Sequence, residues 1–166
     1  MSFILNIDSV CARALARGEA CEKMETEVVT ADLPAGFDEL RAEALAEGFR
    51  QIERLATDWE AHRTRFDRAG EVLLAVRVDG MLAGIGGLTV EPVVPNALRM
   101  RRFYVRPAFR GGGVGRQLVM ALLAHVRPGQ LITANAAPTN VPFWESIGFE
   151  PDQRDGHTHI LDRGRA

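Results

Sequence analysis

The sequence predicts an α/β fold of the mixed α+β kind, in which helices pack on a mixed sheet. The hydrophobic period is helical from Ala35 to Phe66 and then becomes that of strands. Asp79-Gly80 lies between two apolar runs and is a strong hairpin signal. From Ala97 to Ala136 a strand, a glycine-rich loop, a helix and another strand follow one another, which is typical of a βαβ unit.

One strand and two helices are expected before the hairpin. Thr26 to Pro34 is rich in β-favouring residues and stops at a proline, so it predicts a first strand. Apolar residues at helical spacing predict two helices between Ala35 and Phe66, with a break near Gly48. Residues 1–25 stand apart from this pattern. We expect them to form an N-terminal extension, helical in part, beside a single domain at 26–166.

The second half of the chain alternates strands with helices. Gly84, Gly86 and Gly87 weaken the second hairpin strand and indicate either a bulge or a close backbone approach. After the glycine-rich loop and its helix we expect a strand at Gln130–Ala136, a short helix that ends at Gly148, and a closing strand at Thr158–Asp162. The predicted order is therefore β, α, α, β, β, β, α, β, α, β.

Composition excludes several classes of protein. The 166 residues carry a formal net charge of -2, so no overall basic field favours nucleic acid as a partner. No apolar run is long enough to cross a bilayer, and the N-terminus lacks the pattern of a signal peptide, so no membrane association is expected. Cys11 and Cys21 are the only cysteines. We expect two free thiols in a reducing cytoplasm, and no metal site.

The segment RPAFRGGGVGRQLVMALLAHV, from Arg106 to Val126, places four glycines directly before a helix. A helix N-terminus has backbone N–H groups without internal partners and a positive dipole end, so it binds anions such as phosphates. Glycine allows a close approach and the positive φ angles that gather several N–H groups into one nest. The segment therefore predicts a phosphate-binding turn.

Two nucleotide-binding motifs do not fit this turn. A P-loop needs Gly-Lys-Ser/Thr after the glycines, but the sequence continues Gly113-Val114-Gly115-Arg116. A dinucleotide fingerprint needs a glycine where Arg116 stands and an acidic residue at the end of the next strand, and both are missing.

Arg110, Gly113 and Gly115 match the pattern Arg-x-x-Gly-x-Gly, and PFWESIGFEP later in the chain is similar to Phe-Tyr-x-x-x-Gly-Phe. In this order and on these elements, the two motifs resemble the GCN5-related N-acetyltransferase (GNAT) family from about Glu27 to Asp162. The resemblance implies a mostly antiparallel sheet that splays between two parallel strands. It also implies acetyl-CoA as cosubstrate, transfer of acetyl to a primary amine by direct attack, and no metal.

The resemblance also implies where coenzyme A would lie. Backbone N–H groups of the glycine turn would hold its pyrophosphate, with the side chains of Arg110 and Arg116 adding charge, and one strand would pair its backbone with the pantetheine arm. Several residues would border the far side, and we expect Phe143 mainly to pack in the core. The implied cofactor-binding residues are Phe103, Tyr104, Val105, Arg110, Gly111, Gly112, Gly113, Val114, Gly115, Arg116, Asn135, Asn140 and Trp144.

The catalytic residues common in this family are not where the resemblance would put them. Arg99 stands at the position of a glutamate that serves as general base, and Trp144 at that of a tyrosine that protonates the thiolate. Ala137 replaces a frequent asparagine. The candidates that the sequence leaves for proton transfer are Glu91 and Tyr104, followed by Glu60, His62, His157 and His159.

The choice of acceptor is open at this stage. The acceptor would be an amine on a small molecule or a peptide. The resemblance implies that side chains from the two early helices and from the segment Asp152–His159 would determine which amine binds. If Arg99 or Arg101 enters the acceptor cleft, it favours an acceptor with a carboxylate or phosphate. The missing glutamate and tyrosine motivate an alternative function, a non-catalytic acyl-CoA sensor or interaction module. A homodimer through the N-terminal segment or the sheet edge is a further expectation.

Overall fold

The computed structural model describes residues 22–164, so Cys11, Cys21 and the predicted extension up to residue 21 lie outside the described residues. The strands are β1 (Met24–Val28), β2 (Val72–Val78), β3 (Met81–Val90), β4 (Ala97–Val105), β5 (Leu131–Ala134), β6 (Glu150–Pro151) and β7 (His159–Asp162). The helices are α1 (Phe37–Ala46), α2 (Gln51–Glu60), α3 (Val114–Leu123) and α4 (Val141–Ile147). Single 3-10 turns at Pro107–Phe109 and Pro138–Asn140 precede α3 and α4. Within 22–164, none of the helices combines the length and the apolar character needed to span a bilayer.

The seven strands form one sheet in the order β1-β2-β3-β4-β5-β7-β6. All neighbouring strands are antiparallel except β4 and β5, which are parallel and are joined through α3. The predicted mixed, mostly antiparallel fold is therefore confirmed. β4 pairs with β5 only at Ala97–Arg99, against Leu131–Thr133. Beyond Arg99 the two strands separate, which opens a gap at their C-terminal ends.

Both faces of the sheet are buried. In β2, alternate side chains such as Val72 and Leu74 pack with α3, while Leu73 and Ala75 pack with α1 and α2. This alternation follows from the two-residue period of a strand. The helices therefore hold β4 from both sides and fix the position of the gap beside it.

Most of the predicted elements are observed. The two early helices are separated at Gly48, which has a φ of 83°, and Asp79-Gly80 forms the hairpin turn. The first strand, predicted from Thr26 to Pro34, runs from Met24 to Val28, so it begins within the predicted extension 1–25 and ends earlier than expected. Its pairing with β2 ends at Val28 and Leu74, followed by one hydrogen bond from Val29 N–H to the Leu73 carbonyl. The two-residue strand β6 was not predicted.

The sequence left two explanations open for the glycines of β3, a bulge and a close backbone approach, and the structure shows both. Ile85 pairs with Tyr104 and Gly87 with Arg101, so β4 contains an extra residue, and Arg102 there has a φ of 56°. This β-bulge lets Met100 and Phe103 both pack on the α3 side. The approach is also close, because a Cβ added to Gly86 would lie 2.8 Å from the Phe103 ring.

Candidate functional site

A cleft of about 860 Å³ occupies the gap between β4 and β5. Its walls come from the junction of α1 and α2, the second half of β4, the glycine turn, the segment after β5, and α4. Of the implied cofactor-binding residues, all but Gly112 line this cleft. Gly112 lies within the same turn. The fold thus brings the two sequence motifs to one site.

The glycine turn carries a set of free backbone donors. Gly111 and Gly113 have φ angles of 80° and 87°, and a Cβ on either would meet nothing within 4 Å. Among the described residues, no hydrogen bond is donated by the backbone N–H groups from Gly111 to Arg116. The next N–H, that of Gln117, donates to Gly113 O at 2.9 Å and begins the helix. The turn therefore has the geometry of a backbone nest at the N-terminus of α3, of the kind that suits an anion.

The end of β4 turns backbone groups toward the gap. Arg106 N–H donates to Ala83 O at 2.9 Å, so Gly84 and Val105 form a pair without hydrogen bonds between them. In such a pair the N–H and C=O of each residue point away from the partner strand. Val105 therefore presents its N–H and C=O toward the gap.

Glu47 at the end of α1 links two of the implied cofactor-binding residues. Its carboxylate accepts two hydrogen bonds from Arg110, at 2.8 and 2.7 Å, and one from the Tyr104 hydroxyl at 2.5 Å. The bonds from Arg110, and then from Tyr104, lower the pKa of Glu47. Arg110 also donates to Val105 O at 3.0 Å. The Arg110 side chain is thus held by Glu47, and the expectation that it adds charge to a phosphate is not supported by this geometry.

Tyr104 is poorly suited to supply a proton. Burial, followed by the hydrogen bond and charge of Glu47, raises the pKa of Tyr104 above its usual value. Its ring also packs with Phe49 on the side of α1 and α2. The hydroxyl therefore holds the α1–α2 junction against β4.

Glu91 is not among the residues that line the cleft and is buried in an ion pair with Arg99, which does line it. Arg99 donates to it at 2.6 and 2.9 Å, the Thr133 hydroxyl at 2.5 Å and Val93 N–H at 2.9 Å. Burial alone would raise the pKa of Glu91, but these hydrogen bonds outweigh burial and lower it to about 2. A carboxylate with four donors and so low a pKa is a weak base, so the geometry argues against Glu91 as general base. The charge of Arg99 is likewise neutralised by its ion pair with Glu91.

The far wall of the cleft is aromatic. Trp144 is buried and makes edge contacts with Phe103 and Phe149, at centroid distances of 5.2 and 5.1 Å. Phe143 is half-buried and packs over Gly115, where an added Cβ would lie 3.1 Å from its ring. Asn135 and Asn140 are exposed at the rim.

The remaining candidates for proton transfer lie outside the walls of the cleft. Glu60 and His62 are exposed at the end of α2. His157 is buried with its Nε2 2.8 Å from Asp152, and His159 is buried beside Thr158. Within the described part of the chain, no group of three His, Cys, Asp or Glu could hold a metal ion.

Three wall residues from the α1–α2 junction had no sequence signal that would single them out: Glu47, Gln51 and Arg54. Gln51 donates to Phe103 O at 3.4 Å, so the start of α2 touches β4. Among described residues, the cleft wall has a single carboxylate, Glu47, and six arginines: Arg54, Arg99, Arg101, Arg102, Arg110 and Arg116. Arg99, Arg102 and Arg110 are paired with Glu91, Asp58 and Glu47, so the positive charge of the cleft comes from Arg54, Arg101 and Arg116.

Comparison with known proteins places this arrangement in a family. Residues 37–160 match the family model described as an acetyltransferase (GNAT) domain. This match spans most of the chain, and the protein therefore belongs to the GNAT acetyltransferase family. Its members carry out acetyl transfer from acetyl-CoA.

Solved structures have the same fold. A proposed acetyltransferase from Exiguobacterium sp. 255-15 is 21% identical, with a TM-score of 0.75, and the match covers 85% of this chain and 94% of that one. PaiA N-acetyltransferase from Thermoplasma acidophilum, in complex with coenzyme A, is 15% identical, with a TM-score of 0.55 over 83% and 96%. Glucosamine-6-phosphate N-acetyltransferase from Arabidopsis thaliana is 15% identical, with a TM-score of 0.53 over 82% and 98%. A search of curated proteins found no match.

Proposed function

We propose that this protein transfers the acetyl group of acetyl-CoA to a primary amine on a small molecule or peptide. The observation that carries the proposal is the row of free N–H groups from Gly111 to Arg116 at the head of the gap. This nest can take a pyrophosphate, and the gap beside it can take the extended thioester arm. The coenzyme A bound in the Thermoplasma relative is consistent with that assignment.

The cofactor-binding roles follow from position. The pyrophosphate would accept hydrogen bonds from the glycine turn, with Arg116 beside it, where Nη2 lies 3.5 Å from Ser146 O. The pantetheine amides would pair with the backbone of Phe103 and with the Val105 C=O, which points toward the gap and can accept a second hydrogen bond besides the one from Arg110. The Val105 N–H is then left for the thioester. Asn135, Asn140 and Trp144 would close the far side.

The reaction needs a neutral amine and a stabilised oxyanion. The amine nitrogen attacks the thioester carbon, the C–S bond breaks, and the thiolate leaves, while the amine gives up one proton. The Val105 N–H is the donor we assign to the oxyanion, because a fixed backbone donor costs no reorganisation during the reaction.

The arginines of the cleft provide an explanation for the missing general base. A nearby positive charge disfavours the charged form of an ammonium group and lowers its pKa. Three arginines of the cleft wall, Arg54, Arg101 and Arg116, have no acidic partner within 4.0 Å among the described residues, so their charge is not cancelled locally. A bound amine is therefore more often neutral here than in water, and its last proton can pass to solvent.

The alternative, a sensor that binds acyl-CoA without turnover, is favoured by the same lack of an acid and a base. Release of free thiol separates the two functions. We expect thiol release from acetyl-CoA with at least one member of a broad panel of amines. Tight binding of acetyl-CoA with no thiol release from any amine would instead support the sensor.

The nest itself is tested with Gly113→Glu. Its side chain would enter open space but bring a carboxylate to the phosphate position, and we expect coenzyme A affinity to fall about 100-fold or more by calorimetry, since close like charges cost several kcal/mol. Gly129→Glu is a matched control, because Gly129 also has a positive φ, 76°, and open space around its Cβ. The control should fold with the same backbone strain and bind normally. Unchanged affinity in Gly113→Glu would refute the assignment.

A further inference from the structure

A second, smaller cavity of about 230 Å³ adjoins the cleft. It is formed by the loop 63–68 after α2, by Glu71 just before β2, by Thr89–Val90 of β3, and by Arg101 and Arg102 of β4. Arg101 and Arg102 also line the main cleft, so the two cavities share a wall. The small cavity is below the size of typical pockets for whole ligands and suits one charged group of a larger molecule.

The loop that roofs this cavity is fixed on the sheet. Phe66 is buried against Gly87, where an added Cβ would lie 2.4 Å from its ring. Arg65 stacks on Trp59, with its guanidinium carbon 4.6 Å from the ring centroid. The cavity is therefore a formed feature of the fold, on the side of β4 that carries α2.

The walls of this cavity are rich in cations. Five arginines line it, Arg63, Arg65, Arg68, Arg101 and Arg102, against two acids, Asp67 and Glu71. The Glu71 carboxylate accepts a hydrogen bond from Val90 N–H at 3.1 Å, and Asp67 is exposed to solvent. The only acid that pairs with these arginines within the described residues is Asp58, which binds both Arg63 and Arg102 at 2.9 Å.

Arg101 is the central cation of this wall. It is half-buried, and its side chain has no hydrogen bond or ion pair with any described residue. Burial, and then the positive charges of Arg99 and Arg102, lower its pKa. A partly buried charge without a partner is incompletely solvated, so an anion that reaches Arg101 gains a charge-assisted contact. The Nε of Arg65 is also a buried donor without an acceptor among the described residues.

We propose that this second cavity is a subsite for an anionic group of the acceptor, a carboxylate or a phosphoryl group, with Arg101 as its main ligand. The inference rests on the proposed function, which supplies the amine at the neighbouring cleft. Arg101 bridges the two cavities, so the anionic group and the reacting amine belong to one molecule with a short spacer between them.

Binding is tested first with inorganic phosphate on protein saturated with coenzyme A, so that the glycine turn is occupied. Ionic strength is held constant with sodium chloride. We expect Arg101→Gln to weaken phosphate binding about tenfold, the value of a charge-assisted hydrogen bond. Arg163→Gln is the control, because Arg163 is exposed and follows the end of β7 that pairs with the start of β5, away from the gap. Equal phosphate affinity in the two variants would overturn the subsite.

Turnover then identifies the class of acceptor. Phosphoethanolamine is compared with ethanolamine, and β-alanine with β-alaninamide, as pairs that differ in the anionic group. We expect kcat/KM to be about tenfold or more higher for at least one anionic member, and Arg101→Gln to remove that preference. A preference in the first pair alone indicates a phosphoryl group, and in the second pair alone a carboxylate.

Two further outcomes are distinct. Turnover that ignores the anionic group would overturn the subsite and leave the acetyltransferase proposal intact. Failure of coenzyme A to bind the glycine turn would overturn the proposed function, while the difference in phosphate affinity between Arg101→Gln and Arg163→Gln would still report on the cavity. Arg68→Gln, at an exposed position of the same wall, gives a second reading if Arg101→Gln does not fold, and we expect it to weaken phosphate binding in the same direction.

Discussion

Glu91 and Arg99 form a buried ion pair at the root of the gap, with side-chain exposures of 0% and 7%. Arg99 of β4 and Thr133 of β5 are the last paired residues of these two strands, and both donate hydrogen bonds to Glu91. Its role is therefore to hold the strands together just before they separate. A residue that looked like a candidate base from its sequence position is a structural anchor of the site.

At this residue scale, Glu91→Gln is expected to lower the free energy of unfolding by about 3 kcal/mol, because it leaves the Arg99 charge buried without a counter-charge. Urea denaturation at neutral pH measures the loss. Glu27→Gln is the control, since it removes the same charge from an exposed ion pair with Arg77 and should cost less than about 1 kcal/mol. Equal losses in the two variants would contradict the anchoring role.

At the scale of secondary-structure elements, the glycines of β3 set the distance between the sheet and what covers it. Gly86 admits the Phe103 ring and Leu118 of α3 on one face, and Gly87 admits Phe66 on the other. The bulge at Arg102 adds a residue to β4 and reorients its last residues. Small side chains in β3 therefore allow both the wall of the main cleft and the roof of the second cavity.

Gly87→Ala tests this packing. Its Cβ would lie 2.4 Å from the Phe66 ring and 2.9 Å from Val72 O, so both ring and backbone must move. We expect a loss of about 2 kcal/mol in the free energy of unfolding, as is usual for overpacking. Gly112→Ala is the control, because its nearest neighbour is 3.8 Å away and its φ is ordinary. That variant should stay within about 0.5 kcal/mol of wild type or gain slightly. A neutral Gly87→Ala would mean that Phe66 is not held at this point.

At the scale of the whole molecule, the positions of the charges say more about ligand binding than the net charge does. The net charge is -2, yet the arginines concentrate around the cleft and the second cavity. Several carboxylates are used to hold arginines in place, as Glu43 does for Arg106 and Glu47 for Arg110. Hydrogen bonds from these arginines lower the pKa of each carboxylate. The stability of the fold is therefore tied to ionised acids.

The dependence of stability on pH follows from the pKa of Glu91, which folding lowers from its usual 4.5 to about 2. Such a group stabilises the folded state fully above pH 4.5, and that contribution, about 3 kcal/mol, is lost as the pH falls toward 2. We therefore expect the difference in unfolding free energy between wild type and Glu91→Gln to narrow over this range, in urea titrations at stepped pH. A constant difference down to pH 2 would show that the pKa of Glu91 is not lowered.

The binding turn could be predicted from sequence because its signals are local. Glycines with positive φ at Gly111 and Gly113, followed at once by a helix, act over a few residues, and the predicted free N–H groups are present. Glu47 could not be predicted, because its contacts to Tyr104 and Arg110 join residues 57 and 63 positions apart. Arg99 and Arg101 are two residues apart and look equivalent in sequence. Their difference depends on Glu91, which forms its hydrogen-bonded ion pair with Arg99 and not with Arg101.

The sequence by itself determined the order of elements, the glycine turn at the start of α3 and the family, because periodicity, turn chemistry and helix termini depend on neighbouring residues. Only the tertiary structure decided which charges are free. Each arginine is available for a ligand or occupied by an acid according to contacts between distant segments, and those contacts form only when the helices pack on the sheet. Arg99 and Arg110 are occupied in this way, and Arg101 is left for an anion.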